Sequence, residues 1–351
     1  MNRNNASNYT SRKRRFIRIL FLILISIALP LHIAAMKFFT YSFSIISNNT
    51  SVSTITLSKK QEKECVVCVK ERPGRLGNRM FLVASAYGLA RLHYCHLYLT
   101  PEIINEMNSL FIFDLAPFLI STITFNKIVQ STSKSITRTR YIFELKGYWQ
   151  SYLHFTKYGD DIRQLVFAAT QSVIKKVSQL FIDIYELNVE YKPKFSLESH
   201  QLFKKQLAQS NWTTWIGIHI RRSDFVSIHF SSSDTYLFAA IEYYTLHYPN
   251  ANFIIASDDK PYCKNLFRNR SNIFLTPESF SVNDDLITLS LCEHSILTGG
   301  TFGWWAGYLA NGQVLHDKVY PSGCERREYY YPPWFLIDGN VRAHKNSSYT
   351  L

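Results

Sequence analysis

The stretch TTWIGIHIRRSDF, Thr213 to Phe225, runs from apolar and β-branched residues directly into His219, Arg221, Arg222 and Asp224. A short apolar run bounded by polar residues reads as a strand buried on both faces, and such strands belong to parallel sheets covered by helices. A strand of that kind fixes the loop after it, so two guanidinium groups arrive together at one carboxyl end. Downstream the chain alternates. Ser233 to Tyr248 reads as a helix, Asn252 to Ser257 (NFIIAS) and Asn272 to Thr276 (NIFLT) as strands. Asp285 to Ser295 reads as a helix, Ile296 to Gly300 (ILTGG) as a strand, and Thr301 to Asn311 (TFGWWAGYLAN) as a helix.

The upstream half has the same grammar. Cys65 begins an apolar strand that turns at Pro73 and Gly74 into a helix carrying Met80, Phe81, Ala84, Tyr87 and Leu92 near helical spacing. His96 to Thr100 reads as a strand, Pro101 to Phe111 as a helix, and Tyr141 to Phe155 as a strand with an aromatic connection. Residues 160–184 read as one long amphipathic helix. Lys192-Pro193 and the polar residues up to 210 mark a boundary between two α/β units, 65–200 and 201–351. Alternating strands and helices predict an α/β fold.

In open α/β sheets, ligands bind beyond the carboxyl ends of the strands. Three features fall at such ends: His219 to Asp224, Ser257-Asp258-Asp259, and Gly299-Gly300-Thr301-Phe302-Gly303. Thr301 suits an N-cap, and the helix after it would aim its N-terminus at an anion. With Arg221 or Arg222 opposite, the set has the fork, amides and hydroxyl that a diphosphate needs. Each feature also has a structural reading. Arg-Arg-x-Asp suits a surface ion-pair network, Asp258-Asp259 suits a cap for the next helix, Trp304 and Trp305 suit core packing, and Gly74 to Asn78 suits a tight turn.

The chain has 351 residues, is 46% hydrophobic and carries a formal charge of +13. Arg3, Arg12, Lys13, Arg14, Arg15 and Arg18 supply six of those charges ahead of the uncharged run Ile19 to Met36. At about 1.5 Å per residue that run nearly spans a bilayer core. The positive-inside rule then predicts a type II anchor: tail 1–18, span 19–36, stem 37–64 and a lumenal remainder. A cleaved signal peptide ending near Ala34 and Ala35 is the alternative. In an oxidising lumen the six cysteines are expected mainly in disulfides, and Asn269-Arg270-Ser271 is among several glycosylation sequons. Zinc at Cys65 and Cys68 is not expected, for want of a complementary ligand pair. The sequence contains no Walker loop, no GxGxxG, no nucleophile elbow and no Asp-x-Asp after a strand. NTPases and dinucleotide enzymes are thereby disfavoured, no nucleic-acid partner is expected, and phosphate charge would fall to arginine and backbone without a metal.

Four segments in order carry a family resemblance: GRLGNRMF from Gly74, GIHIRRSDF from Gly217, ILTGGTFGWWAGYLA from Ile296, and YYPPWF from Tyr330. Together they resemble glycosyltransferase family 11, the GDP-fucose-dependent α-1,2-fucosyltransferases. The resemblance implies a GT-B-like fold, two Rossmann-like domains facing a cleft, with GDP-fucose as donor substrate on the C-terminal side and no obligatory metal. It implies inverting transfer to a glycan acceptor, through the 2-hydroxyl of galactose, on the Golgi membrane. Carried over, Arg221 holds the β-phosphate and His219 sits beside the nucleotide. Arg222 and Asp224 pair structurally or touch the donor, Asp258 lies near the guanosine, and Thr301, Phe302 and Gly303 lie along the diphosphate. Asn78 enters the cleft and, with Arg221 and His219, is expected at the catalytic centre. One departure is Arg79, where the family usually carries Gln. A Golgi sulfotransferase and a non-catalytic glycan-binding protein are the competing readings.

Overall fold

Alternate side chains of a strand point to opposite faces, and β1 (Cys65–Val69) is buried along its whole length because both of its faces are covered. The computed structural model describes residues 65–132, 141–188, 195–210, 212–317, 327–337 and 343–344, all belonging to one unit of the chain. The turn after β1 leads into α1 (Leu76–His93), then β2 (His96–Leu99), α2 (Pro101–Asn108), α3 (Thr122–Thr132) and β3 (Tyr141–Glu144). These strands form a parallel sheet in the order β2-β1-β3. Val67 and Val69 point into the main core, while Val66 and Cys68 meet Tyr98 and Phe125 on the other side.

Residues 160–184 do not form one helix. Short turns lead to a π-helical turn at Ile162–Val166, and α4 (Gln171–Asn188) starts afresh. The break has a tertiary cause: the Ala168 carbonyl accepts from Ile112 N at 2.8 Å, and Thr170 N donates to the Leu110 carbonyl at 3.0 Å. Pairing with residues 110–112 thus overrides a helical pattern. The polar stretch expected to mark the boundary contains α5 (His200–Gln209), capped by Ser199 and anchored in the core by Phe203 and Leu207.

The second sheet starts at β4 (Thr214–Ile220), followed by α6 (Ser223–Ser227), α7 (Asp234–His247), β5 (Ala251–Ser257), α8 (Lys260–Leu266) and β6 (Ile273–Leu275). Then come α9 (Val282–Leu291), β7 (His294–Leu297), α10 (Gly300–Ala310), β8 (Val314–His316), α11 (Arg327–Tyr330), β9 (Phe335–Ile337) and β10 (Ala343–His344). The strand order is β10-β9-β8-β7-β4-β5-β6, parallel except for β10 against β9. From β6 to β9 this is the doubly wound order, reversing between β4 and β7, where a crevice opens. Ile216, Ile218 and Ile220 pack beneath α7 and α8, whereas Trp215 faces the core shared with α9, α10 and the first sheet.

Trp304 and Trp305 are core residues, as their spacing suggests. Trp304 packs at 4.4 Å from Phe81, and Trp305 Nε1 donates to the Gly77 carbonyl at 2.9 Å. Gly77 permits that approach: a Cβ there would lie 2.7 Å from Thr301 Oγ1. The N-termini of α1 and α10 therefore meet.

Among the described residues the cysteine expectation holds for one pair. Cys65 and Cys95 are disulfide-bonded, joining the starts of β1 and β2, while Cys68, Cys263 and Cys292 are buried thiols. Burial raises them to about 11, 11 and 12 respectively, so they are inert hydrophobes rather than nucleophiles. Cys324 and the run Ile19 to Met36 lie outside the described residues; among those described, no helix is long and apolar enough to cross a membrane.

Candidate active site

The carboxyl ends of β4, β5 and β7 and the N-terminus of α1 enclose a cavity of about 410 Å³, within the size range of small-ligand sites. Its lining includes Asn78, His219, Arg221, Asp224, Asp258, Thr301 and Phe302, so most of the residues singled out from the sequence do converge. Arg222 and Gly303 do not line it.

Arg221 owes its place to β4. Its backbone N–H donates to Thr298 Oγ1 at 2.8 Å, tying the loop to the end of β7. Its guanidinium lies 2.6 Å from Asp224 and 2.9 Å from Asp258, and 5.6 Å over the Phe225 ring. Asp258 also accepts from Arg222 N at 2.8 Å, so both of its oxygens brace the arginine loop. Both carboxylates meet the guanidinium as ion pairs, and its planar fork of N–H donors suits an anion. Asp224 is the half-exposed partner and the cheaper one to displace.

Arg222 turns the other way. Its guanidinium bonds Asp259 at 3.1 Å and stacks 3.5 Å over Tyr262, a structural role at the start of α8. Asp259 is itself the N-cap of α8, accepting from Tyr262 N. The two readings of Asp258-Asp259 are thus divided between them: Asp258 serves the arginine loop and Asp259 the helix.

Thr301 is not the N-cap of α10. Gly299 occupies that position and provides no side-chain cap, which leaves first-turn amides of α10 available to an anion. Thr301 sits inside the first turn with its hydroxyl against Gly77. Gly303 serves His219 rather than the cavity, since a Cβ there would lie 2.4 Å from His219 Nδ1. His219 packs 5.0 Å from Phe302 and is 5% exposed. Burial pushes it down to about 4, with Asp258 opposing and Arg221 reinforcing. It is a neutral imidazole at physiological pH, and among the described residues its Nδ1 has no hydrogen-bond partner.

Two contributors escaped the sequence reading. Asp285 lines the cavity from α9, and among the described residues its Oδ1 has no hydrogen-bond partner. Burial raises its carboxyl to about 6, despite Thr276 and Lys260, which favour the charged form. Its signal was an acid embedded in the apolar run DLITLSL, just after the capping box of Ser281 and Asp284. Gln150 donates to Asn78 Oδ1 at 2.8 Å across 72 residues of sequence, and no local pattern announces that contact. Among the described residues, no three or more His, Cys, Asp or Glu side chains cluster as metal ligands.

Fold and site together define a doubly wound α/β protein with an arginine-and-amide pocket at its switch point. The model of glycosyl transferase family 11 matches residues 43–334, and the chain belongs to that family. It is 26% identical over 292 residues to galactoside alpha-(1,2)-fucosyltransferase 2 of Sus scrofa, covering 76% of this chain and 79% of the relative. It is also 26% identical over 298 residues to galactoside 2-alpha-L-fucosyltransferase SEC1 of Bos taurus, covering 78% and 74%. Among solved structures, NodZ alpha-1,6-fucosyltransferase soaked with GDP-fucose matches with a TM-score of 0.42 and 13% identity, over 71% of this chain and 93% of that one. A mutant of Arabidopsis thaliana FUT1 in complex with GDP matches with a TM-score of 0.46 and 13% identity, over 77% and 73%. With scores this low, the description of the fold rests on the strand order itself.

Proposed function

We propose that this chain transfers L-fucose from GDP-fucose, with inversion and without an obligatory metal, to the 2-hydroxyl of a galactose in a glycan acceptor. The observation that carries the reading is the pairing of Arg221 with the uncapped N-terminus of α10 on one cavity. That pairing suits a diphosphate, and the similarity to galactoside fucosyltransferases supplies the sugar. The wider frame is GT-B-like: an acceptor-side lobe at 65–200 and a donor-side lobe at 201–351, held on the Golgi membrane by a type II anchor at 19–36 with the catalytic part lumenal.

The chemistry follows from where charge develops. As the fucosyl–oxygen bond breaks, negative charge builds on the departing GDP. Donors fixed beforehand stabilise that charge more than the ground state. Arg221 is held by two carboxylates before substrate arrives, so little reorganisation is needed. On the donor side, the Asp285 carboxylate matches the two adjacent N–H donors on one edge of guanine. Asn78 belongs on the acceptor side of the reacting carbon. His219, uncharged, contributes shape and a ring nitrogen rather than charge.

The test is to offer the full-length chain GDP-fucose and glycans ending in β-galactose and to assign the product linkage by NMR. An α-1,2-linked fucose is expected. Calorimetry with GDP and adenosine 3′,5′-bisphosphate accompanies it. Binding of only the adenosine nucleotide overturns the reading in favour of a sulfotransferase, and GDP binding without transfer in favour of a glycan-binding protein.

A further inference from the structure

We infer that Arg79 is a positioning residue, anchored by Glu106, that sets the Asn78 amide at the cavity by holding the carbonyl of Gly74. The inference rests on the transferase reading above. Gly74 to Asn78 all line the cavity, and Arg79 is the first residue beyond them. Its guanidinium divides between two partners: Nε donates to Glu106 Oε1 at 2.8 Å, with Nη2 on the same oxygen, and Nη1 donates to the Gly74 carbonyl. Glu106 is held from its other side by Arg72 at 3.0 Å. It rides on α2, whose Ile103 and Met107 are buried in the core. The Arg79 and Glu106 side chains are only 17% and 18% exposed, so salt screens this pair less than a surface one.

The connection to Asn78 runs through the turn. Gly74 adopts φ +67°, and its backbone presses on the Asn78 amide so closely that a Cβ would lie 2.1 Å from Nδ2. Gln150 takes the amide on its oxygen side at 2.8 Å. Asn78 is thus held between Gln150 and the Gly74 backbone, and Arg79 fixes the second of these walls. Releasing Arg79 leaves Asn78's own hydrogen bond in place but frees the turn beneath it. A displacement of about 1 Å at a reacting centre costs as much as about 100-fold in rate.

The experiment compares the full-length chain with Arg79→Met, Arg79→Lys and Glu106→Gln, measuring kcat, the acceptor KM, GDP affinity and the melting temperature. Arg79→Met is expected to lower kcat by about tenfold or more while GDP affinity stays within about twofold, because Arg221 is braced by Thr298 and Asp258 rather than by Arg79. Arg79→Lys should recover part of the rate, and Glu106→Gln should fall between. If Arg79→Met fails to fold, the latter two variants carry the comparison. A purely structural pair would lower the melting temperature and leave kcat below that temperature unchanged, which overturns the inference, as does a parallel loss of GDP affinity. A wild-type chain that binds GDP but transfers nothing overturns the transferase reading and this inference with it. An active wild type with unaltered variants overturns the inference alone.

Discussion

Replacing Arg221 by Lys separates charge from geometry at the centre of the site. Lys keeps a positive charge but offers one ammonium where Arg offers a planar fork. In the free protein the loss is modest. The contact with Asp224, 52% exposed on the carboxylate side, contributes at most about 1 kcal/mol. Asp258 keeps its bond from Arg222 N, so the loop remains anchored. The melting temperature should therefore fall by only a few degrees. Transfer should suffer more, because one charge-assisted contact to the departing diphosphate is worth about 1.5 to 3 kcal/mol. At 1.4 kcal/mol per factor of ten, kcat/KM should drop roughly 10- to 150-fold. Initial rates with GDP-fucose and a galactoside, beside a thermal melt, read both quantities. A folded Arg221→Lys enzyme within twofold of wild type would refute the assignment of Arg221 to the leaving group.

Three further outcomes are expected. Asp285 is raised to about 6, so it is mostly neutral below that pH and a carboxylate above it; affinity for GDP-fucose, whose diphosphate diester does not titrate there, should rise through about pH 6. Calorimetry at several pH values checks this, and Asp285→Asn should flatten the profile and weaken binding on the alkaline side. Gly77→Ala puts a methyl 2.7 Å from Thr301 Oγ1 and 2.9 Å from its carbonyl carbon; prising α1 from α10 should cost about 1 to 3 kcal/mol in urea unfolding. His200 and His219 are lowered to about 3 and 4 by burial, and Ala169 N donates to His200 Nδ1. The unfolded chain therefore binds protons that the folded chain refuses. Stability should be full above about pH 6.5 and fall as pH drops toward 4, by on the order of 3 kcal/mol per imidazole. An acid-side stability curve that stays flat in His200→Gln and wild type alike would contradict this.

Much of the donor side was legible in sequence because it is local. An apolar strand followed by His219 and Arg221, a Gly-Gly-Thr turn into a helix, and two acids after Ser257 are each written within a few residues, and strand-end chemistry follows from the fold class. The same locality explains why Trp304 and Trp305 could be assigned to the core. What a short window could not settle was direction. Arg221 and Arg222 are adjacent and chemically identical, yet one faces the cavity and the other stacks on Tyr262.

The sequence by itself determined the alternation of strands and helices, the burial of β4 and the chemical character of the loops at its end. Those depend on periodicity and residue type, which act over one or two turns of chain. Only the tertiary structure decided the strand order that opens the crevice between β4 and β7, the break before α4 and the recruitment of Asp285. It also decided the meeting of Asn78 with Gln150 and of Gly77 with Trp305, the latter across 228 residues. Each of these is a long-range contact whose energy comes from close packing or from satisfying a buried polar group, and neither is written in a local pattern.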